Sequence, residues 1–257
     1  MDASYDNNDM NSIVHWDDSL LLKSKTSFLL GENWHNKVVW DLQTTNNLMI
    51  GRMTGSGKSF LVKLIILQAI KKKCYKIILF DLKGVDFNHY WRNHCQVIDD
   101  IEDVNTHISN LVDEMNRRKK LFNDLSDKKQ LIIDNIRTYN KHSTKKIKRI
   151  ILVIDEFADI SIKSKEITEN LSLLARKSRA FGISIVVCTQ RPSAKIMPEQ
   201  LRSNINYRIC GVADEILSEI VLDSKEASSK IPSESKGAFV NHKGELFNAY
   251  LLDKDVY

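Results

Sequence analysis

Three prolines and nine glycines in 257 residues leave no room for a collagen-like repeat or a Pro/Gly-rich low-complexity chain. The four cysteines, Cys74, Cys95, Cys188 and Cys210, include no C-x-x-C pair and have no histidine pair nearby. That excludes zinc-finger spacing and argues against a disulfide scaffold, so they read as buried reduced thiols. His89, His94 and His107 likewise share no metal-ligand spacing. No apolar run reaches the roughly 18–20 residues of a membrane helix. The opening MDASYDNNDMN is acidic and polar, the reverse of a secretory signal. A cytoplasmic chain is expected, with any membrane attachment supplied by a partner.

What remains is ordinary for a soluble domain: 42% hydrophobic residues, 28% charged ones and a net charge of +5. The cations are clustered, in KKKCYK (71–76), RRKK (117–120) and KHSTKKIKR (141–149). The last is the densest and directly precedes a strand, at the strand's amino end. It reads as a solvated loop, with contact to phosphates as the alternative.

Residues 1–25 read as a polar, flexible N-terminal segment, and residues 26–257 as a single domain. FLLGENWHNKVVWDL contains two strands around a turn at 31–36, and its aromatics Phe28, Trp34 and Trp40 are expected in the core. NLMI (47–50) is a further strand. FLVKLIILQAI (60–70) is apolar nearly all round, which marks a buried helix. KIILF (76–80), RIILVIDE (149–156) and ISIVVCTQ (183–190) are continuous apolar runs ending in polar residues, as buried parallel strands do. Between them, 101–125 has an amphipathic helical period, and ENLSLLARKSRAFG (169–182) reads as a helix stopped by Gly182. YRICG, GAFVN and LFNAYLL add strands toward the end. The alternation predicts an α/β fold with a mainly parallel central sheet and helices on both faces. Ligand chemistry then belongs at the carboxyl ends of the strands.

GRMTGSGKS (51–59) sits between a predicted strand and a predicted helix. A phosphate-binding loop needs small residues so that successive N–H groups turn inward around an anion, here Thr54, Gly55, Ser56 and Gly57. It also needs a lysine for the β/γ-phosphates, Lys58, and a hydroxyl for Mg²⁺, Ser59. Arg52 stands where the motif G-x-x-x-x-G-K-[ST] has its first glycine, so either the loop enters at a different angle or Arg52 itself reaches a phosphate. Asp155 and Glu156 end RIILVIDE as a metal-holding aspartate and a water-polarising glutamate, with Asp81 as the rival acid. Gln190, after Thr189, ends the next strand where an amide can hold water or sense the γ-phosphate. ATP and Mg²⁺ are the expected ligands.

GSGKS, EMNRRKKLF, TYN, VIDEFAD, LARKSRAFGISIVVCTQRPS and NINYRI occur in that order and resemble the motor domain of the FtsK/SpoIIIE DNA translocases. FDLKG and VADE–VLD more closely resemble the FtsK-like coupling proteins of Gram-positive conjugative elements. The resemblance implies a RecA-like ATPase that assembles as a ring, commonly a hexamer, around DNA, single- or double-stranded. It implies service to a plasmid, phage or integrative conjugative element, with a relaxase or a membrane channel protein as partner. It also implies an arginine supplied in trans to the neighbouring ATP site: Arg208, by match to NINYRI, with Arg118, Arg179 and Arg202 as alternatives. The rival readings are an FtsK-like ATPase that drives protein secretion and a nucleotide-binding adaptor without turnover.

Overall fold

A computed structural model describes residues 14–53, 58–87, 89–161, 164–190 and 197–253. The strands are β1 (Ser27–Glu32), β2 (Lys37–Asp41), β3 (Leu48–Gly51), β4 (Tyr75–Phe80), β5 (Gln96–Ile98), β6 (Arg149–Ile154), β7 (Ile183–Thr189), β8 (Tyr207–Cys210), β9 (Ala238–Asn241) and β10 (Leu246–Ala249). The helices are α1 (Lys58–Lys72), α2 (His89–His94), α3 (Ile101–Lys129), α4 (Ile136–His142), α5 (Phe157–Ser161), α6 (Lys165–Lys177), α7 (Glu199–Arg202), α8 (Glu215–Leu222) and α9 (Glu226–Lys230).

All ten strands form one sheet in the order β2-β1-β10-β9-β8-β3-β7-β6-β4-β5. From β8 to β5 every neighbouring pair is parallel, and from β8 to β2 every pair is antiparallel. The continuous apolar runs follow from burial on both faces. In β6, Ile151 and Val153 join one core, whereas Ile150, Leu152 and Ile154 join the core under α3 and α6. Period two therefore splits one hydrophobic run between two layers.

The same logic accounts for α1, which is apolar nearly all round because it is covered on two sides. It packs against both β4 and β1, which lie in distant parts of the sheet order. Gln68 seals the contact with β1: its Oε1 accepts from the Leu29 N–H at 2.9 Å and its Nε2 donates to the Leu29 carbonyl at 2.8 Å.

Several expectations need correction. The packed chain begins before Thr26: Trp16 is buried, and its N–H donates to the Leu251 carbonyl at 2.8 Å. Residues 1–13 lie outside the described residues. The helix read as 169–182 runs instead over Lys165–Lys177 and ends at Ser178. Gly182 belongs to the turn after it, at φ +70°, where a Cβ would lie 2.5 Å from Ile136 of α4. Trp34 is not core: it projects from the β1–β2 turn, 68% exposed, while Phe28 and Trp40 are buried as expected. The three-residue β5 and the short helices α2, α4, α5, α7 and α9 carry too little periodicity to be read from the chain.

Candidate functional site

Four strands present their carboxyl ends side by side. Gly51 pairs with Thr189, Ile154 with Val187 and Phe80 with Ile154. Strand β7 thus lies between the strand that feeds the Gly-rich loop and the strand that ends in Asp155–Glu156. The loop leaves β3 with two backbone anchors, Arg52 N–H to the Thr189 carbonyl at 3.1 Å and Met53 N–H to the Val212 carbonyl at 2.9 Å. Thr54, Gly55, Ser56 and Gly57 lie outside the described residues, as does the side chain of Lys58, whose backbone opens α1.

Ser59 stands in the first turn of α1, its hydroxyl 3.2 Å from Asp86 Oδ2. Asp86 was not read from the sequence; its signal is a second carboxylate in FDLKGVDF, just after a buried strand. Asp155 and Glu156 are both buried, 2% and 6% exposed. Asp155 is fixed to the neighbouring strand by its N–H, which donates to the Phe80 carbonyl at 3.1 Å. Glu156 reaches the other way. Its Oε1 accepts from the Thr189 hydroxyl at 3.1 Å, and its Oε2 from the Gln190 N–H at 3.0 Å. The end of β7 therefore orients the carboxylate through one side-chain donor and one backbone donor.

Asp81 is also buried, but its Oδ1 accepts from the N–H of Gly84 at 3.1 Å, closing its own turn. It sits on β4, one strand further from β3 than Glu156 does.

Arg52 is held in the interior. Fully buried, it lies 4.8 Å over the Phe239 ring and donates from Nη2 to the Ser235 carbonyl at 3.1 Å. Burial lowers its pKa to about 10. Gly211 makes room for it, since a Cβ there would fall 2.7 Å from Arg52 Cδ. The residue in the place of the loop's first glycine is thus built into β8 and β9.

The arginines considered for action in trans differ in how they are held. Arg208 donates to the carbonyls of Ile205 and Arg202 at 2.8 Å each and to Asp223 Oδ2 at 2.5 Å. Arg202 lies 3.6 Å from the same Asp223. Arg118 is buried against Glu114 and the carbonyls of Phe181 and Lys148. Arg179 is exposed, with one donated bond to the Gln43 carbonyl.

This arrangement fits a nucleoside triphosphate and a divalent cation: the helix that follows β3 carries a hydroxyl in its first turn, and two buried carboxylates follow β6, two strands away in the same parallel sheet. Residues 21–194 match the model of the FtsK/SpoIIIE family. The chain belongs to the FtsK/SpoIIIE family. The DNA translocase FtsK of Treponema pallidum (strain Nichols) is 32% identical over 233 residues, covering 80% of this chain and 28% of that protein. That of Caldanaerobacter subterraneus subsp. tengcongensis is 34% identical over 211 residues, 78% of this chain and 29% of that protein. The chain thus spans less than a third of the length of these FtsK relatives.

Among solved structures, the pCW3 conjugation coupling protein TcpA, in its monomer form with ATPgS, matches at a TM-score of 0.85 and 32% identity. That match covers 95% of this chain and 71% of TcpA. The cytoplasmic domain of the type VII secretion ATPase EccC from Thermomonospora curvata shares the fold at a TM-score of 0.77, with 19% identity, over 95% of this chain and 31% of that one. The RecA-like P-loop fold expected from the sequence is the fold of this family member. Among the described residues no helix is long and apolar enough to cross a membrane.

Proposed function

We propose that the chain is the ATP-hydrolysing motor of a DNA translocase that works as a ring, serving DNA transfer by a plasmid, phage or conjugative element. The carrying observation is the placement of Glu156. Its carboxylate is buried and aimed by Thr189 and Gln190, at the end of the strand that pairs with Gly51. In a site closed to bulk water, a carboxylate so held accepts a proton from an attacking water and orients it in line with the γ-phosphoryl group.

The other residues take the roles that their motifs assign them. The loop 54–57 and Lys58 cradle the phosphates. Ser59 and Asp155 would hold Mg²⁺, which neutralises charge on the phosphate oxygens. Gln190, following Thr189, positions water or senses the γ-phosphate. For the cation acting in trans, the contacts favour Arg179 over Arg208. Arg208 would have to give up three bonds within its own chain, whereas Arg179 is exposed and gives up one. A relaxase or a channel protein is the expected recruiting partner. The 32% likeness to a conjugation coupling protein supports this reading over protein secretion, where the likeness is one of fold alone.

Steady-state ATPase measurements with and without duplex DNA test it. Wild type should turn over ATP and be stimulated by DNA, and Glu156→Gln should bind ATP without turnover. Lys58→Ala should lose binding itself. Wild-type hydrolysis indifferent to DNA would end the translocase reading, and a Glu156→Gln variant at the wild-type rate would end the assignment of the base.

A further inference from the structure

At the amino end of the parallel strands, opposite the nucleotide site, a groove of about 520 Å³ opens between α3 and the sheet. Lys76 of β4, Lys148 just before β6, and Arg117 and Arg118 of α3 line it, against a single carboxylate, Glu114. The convergence follows from strand register. Lys76 shares the α3 face with Ile78, and Lys148 shares it with Ile150, because alternate residues point the same way and β4 and β6 are neighbours.

The single carboxylate is already committed. Glu114 Oε1 accepts from Arg118 Nε at 2.7 Å, and Arg117 donates to both its oxygens at 2.5 and 2.8 Å. Lys76 and Lys148 make no ion pair among the described residues, nor do the exposed Lys120, Lys145 and Lys146. Lys71, Lys83, Lys165, Lys225 and Lys230 do face a carboxylate; what sets the groove lysines apart is that they converge on one cleft with two arginines. Like charges gathered beside a cleft repel one another, and a bound polyanion relieves the repulsion.

We infer that this groove is a second contact for the phosphate backbone of DNA, separate from the nucleotide site and made chiefly by Lys76 and Lys148. The inference rests on the reading of the chain as a DNA motor. The shape favours a backbone over a short acidic peptide, because the cations do not stop at the groove. Lys120 lies one turn of α3 beyond Arg117, and the exposed Lys145 and Lys146 precede Lys148 along the chain, matching a ligand that repeats its charge along its length. The contact carries no base readout. It adds affinity that falls with salt.

The test is fluorescence anisotropy of a labelled random-sequence duplex between 50 and 200 mM salt without nucleotide. It compares wild type, Lys76→Gln/Lys148→Gln, and the charge-matched Lys165→Gln/Lys225→Gln. The groove variant should bind about tenfold more weakly, with a log–log salt slope smaller by about two, since each lost phosphate contact removes about 0.9. The charge-matched variant should keep the wild-type slope. Equal slopes in all three proteins, or equal losses in both variants, would overturn the inference while leaving DNA-stimulated hydrolysis by wild type intact. Displacement of duplex from wild type, but not from the groove variant, by polyglutamate at lower concentration than by competitor DNA would assign the groove to an acidic polypeptide instead. Wild type that binds no duplex at any salt would remove the motor reading and this inference together.

Discussion

The hydroxyl of Thr189 donates to Glu156 Oε1 at 3.1 Å, tying the last residue of β7 to the carboxylate that follows β6. A hydrogen bond to a charged partner contributes on the order of 1.5 kcal/mol, and that much loss of orientation in the transition state is roughly tenfold in rate. Thr189→Val keeps the shape and removes the donor. It should lower ATP turnover about tenfold with nucleotide affinity unchanged, measured by steady-state hydrolysis and by titration with a fluorescent ATP analogue. Turnover at the wild-type rate would show that the backbone donor from Gln190 suffices to orient Glu156.

The arginine assignment separates through mixed rings. Arg179→Ala should be inactive alone and regain part of its turnover when mixed with Lys58→Ala, because some interfaces then pair an intact loop with an intact arginine. Arg208→Ala should show no such rescue. It should instead melt at a lower temperature, since Asp223 and two carbonyls lose their donor. Rescue of Arg208→Ala, with unchanged melting, would return the trans role to that residue.

Stability in acid should report Glu114. Its bond to Arg117, opposed by burial and aided by Arg118, brings its pKa down from 4.5 to about 2. A carboxylate with a depressed folded pKa stabilises the native state fully above its unfolded value, and that contribution is lost as pH falls from about 4.5 toward 2. Glu114→Gln should flatten this part of the melting-temperature profile. At neutral pH it should also destabilise the chain by about 3 kcal/mol, because the buried Arg118 keeps its charge without its counterion. An unchanged acid limb would place the titration elsewhere.

Arg52→Gly writes the usual glycine into the loop. The site's geometry predicts that nucleotide affinity stays within about threefold while stability drops by about 2–4 kcal/mol, the range for emptying a packed interior position. Thermal melting and ATP-analogue titration decide between this and a direct phosphate contact. In the latter case affinity would collapse and stability would not.

The sheet and the reactive strand ends were legible because their signals are local. VIDE and CTQ end strands whose carboxyl ends the sheet sets side by side, and continuous apolar runs announce burial on two faces. Arg52 was not legible. Its place depends on Phe239 and Gly211, far along the chain, which no local pattern could reveal. Gly182 misled for a related reason. A glycine is a common helix stop, but this helix ends at Ser178, and the turn that follows places the Phe181 carbonyl against Arg118 and Gly182 against Ile136. Trp34 looked like core on composition alone, and only the hairpin turn, closed by Asn33 Oδ1 accepting from the N–H groups of His35 and Asn36, puts it outside.

The pairing of β1 with β10 bears on how the chain is made. Synthesis delivers β1, β2 and α1 well before β10, and Gln68 of α1 ties itself to Leu29 of β1. The partner for β1's free edge, near Gly31, is Ala249, some two hundred residues later. At about 5–20 residues per second that edge stands open for roughly 10–40 s on a translating ribosome. An unpaired edge is where a nascent chain finds wrong partners. The interval of exposure of this edge is set by the sequence distance between β1 and β10, and a chaperone that shortens it acts where the topology is slowest to protect itself.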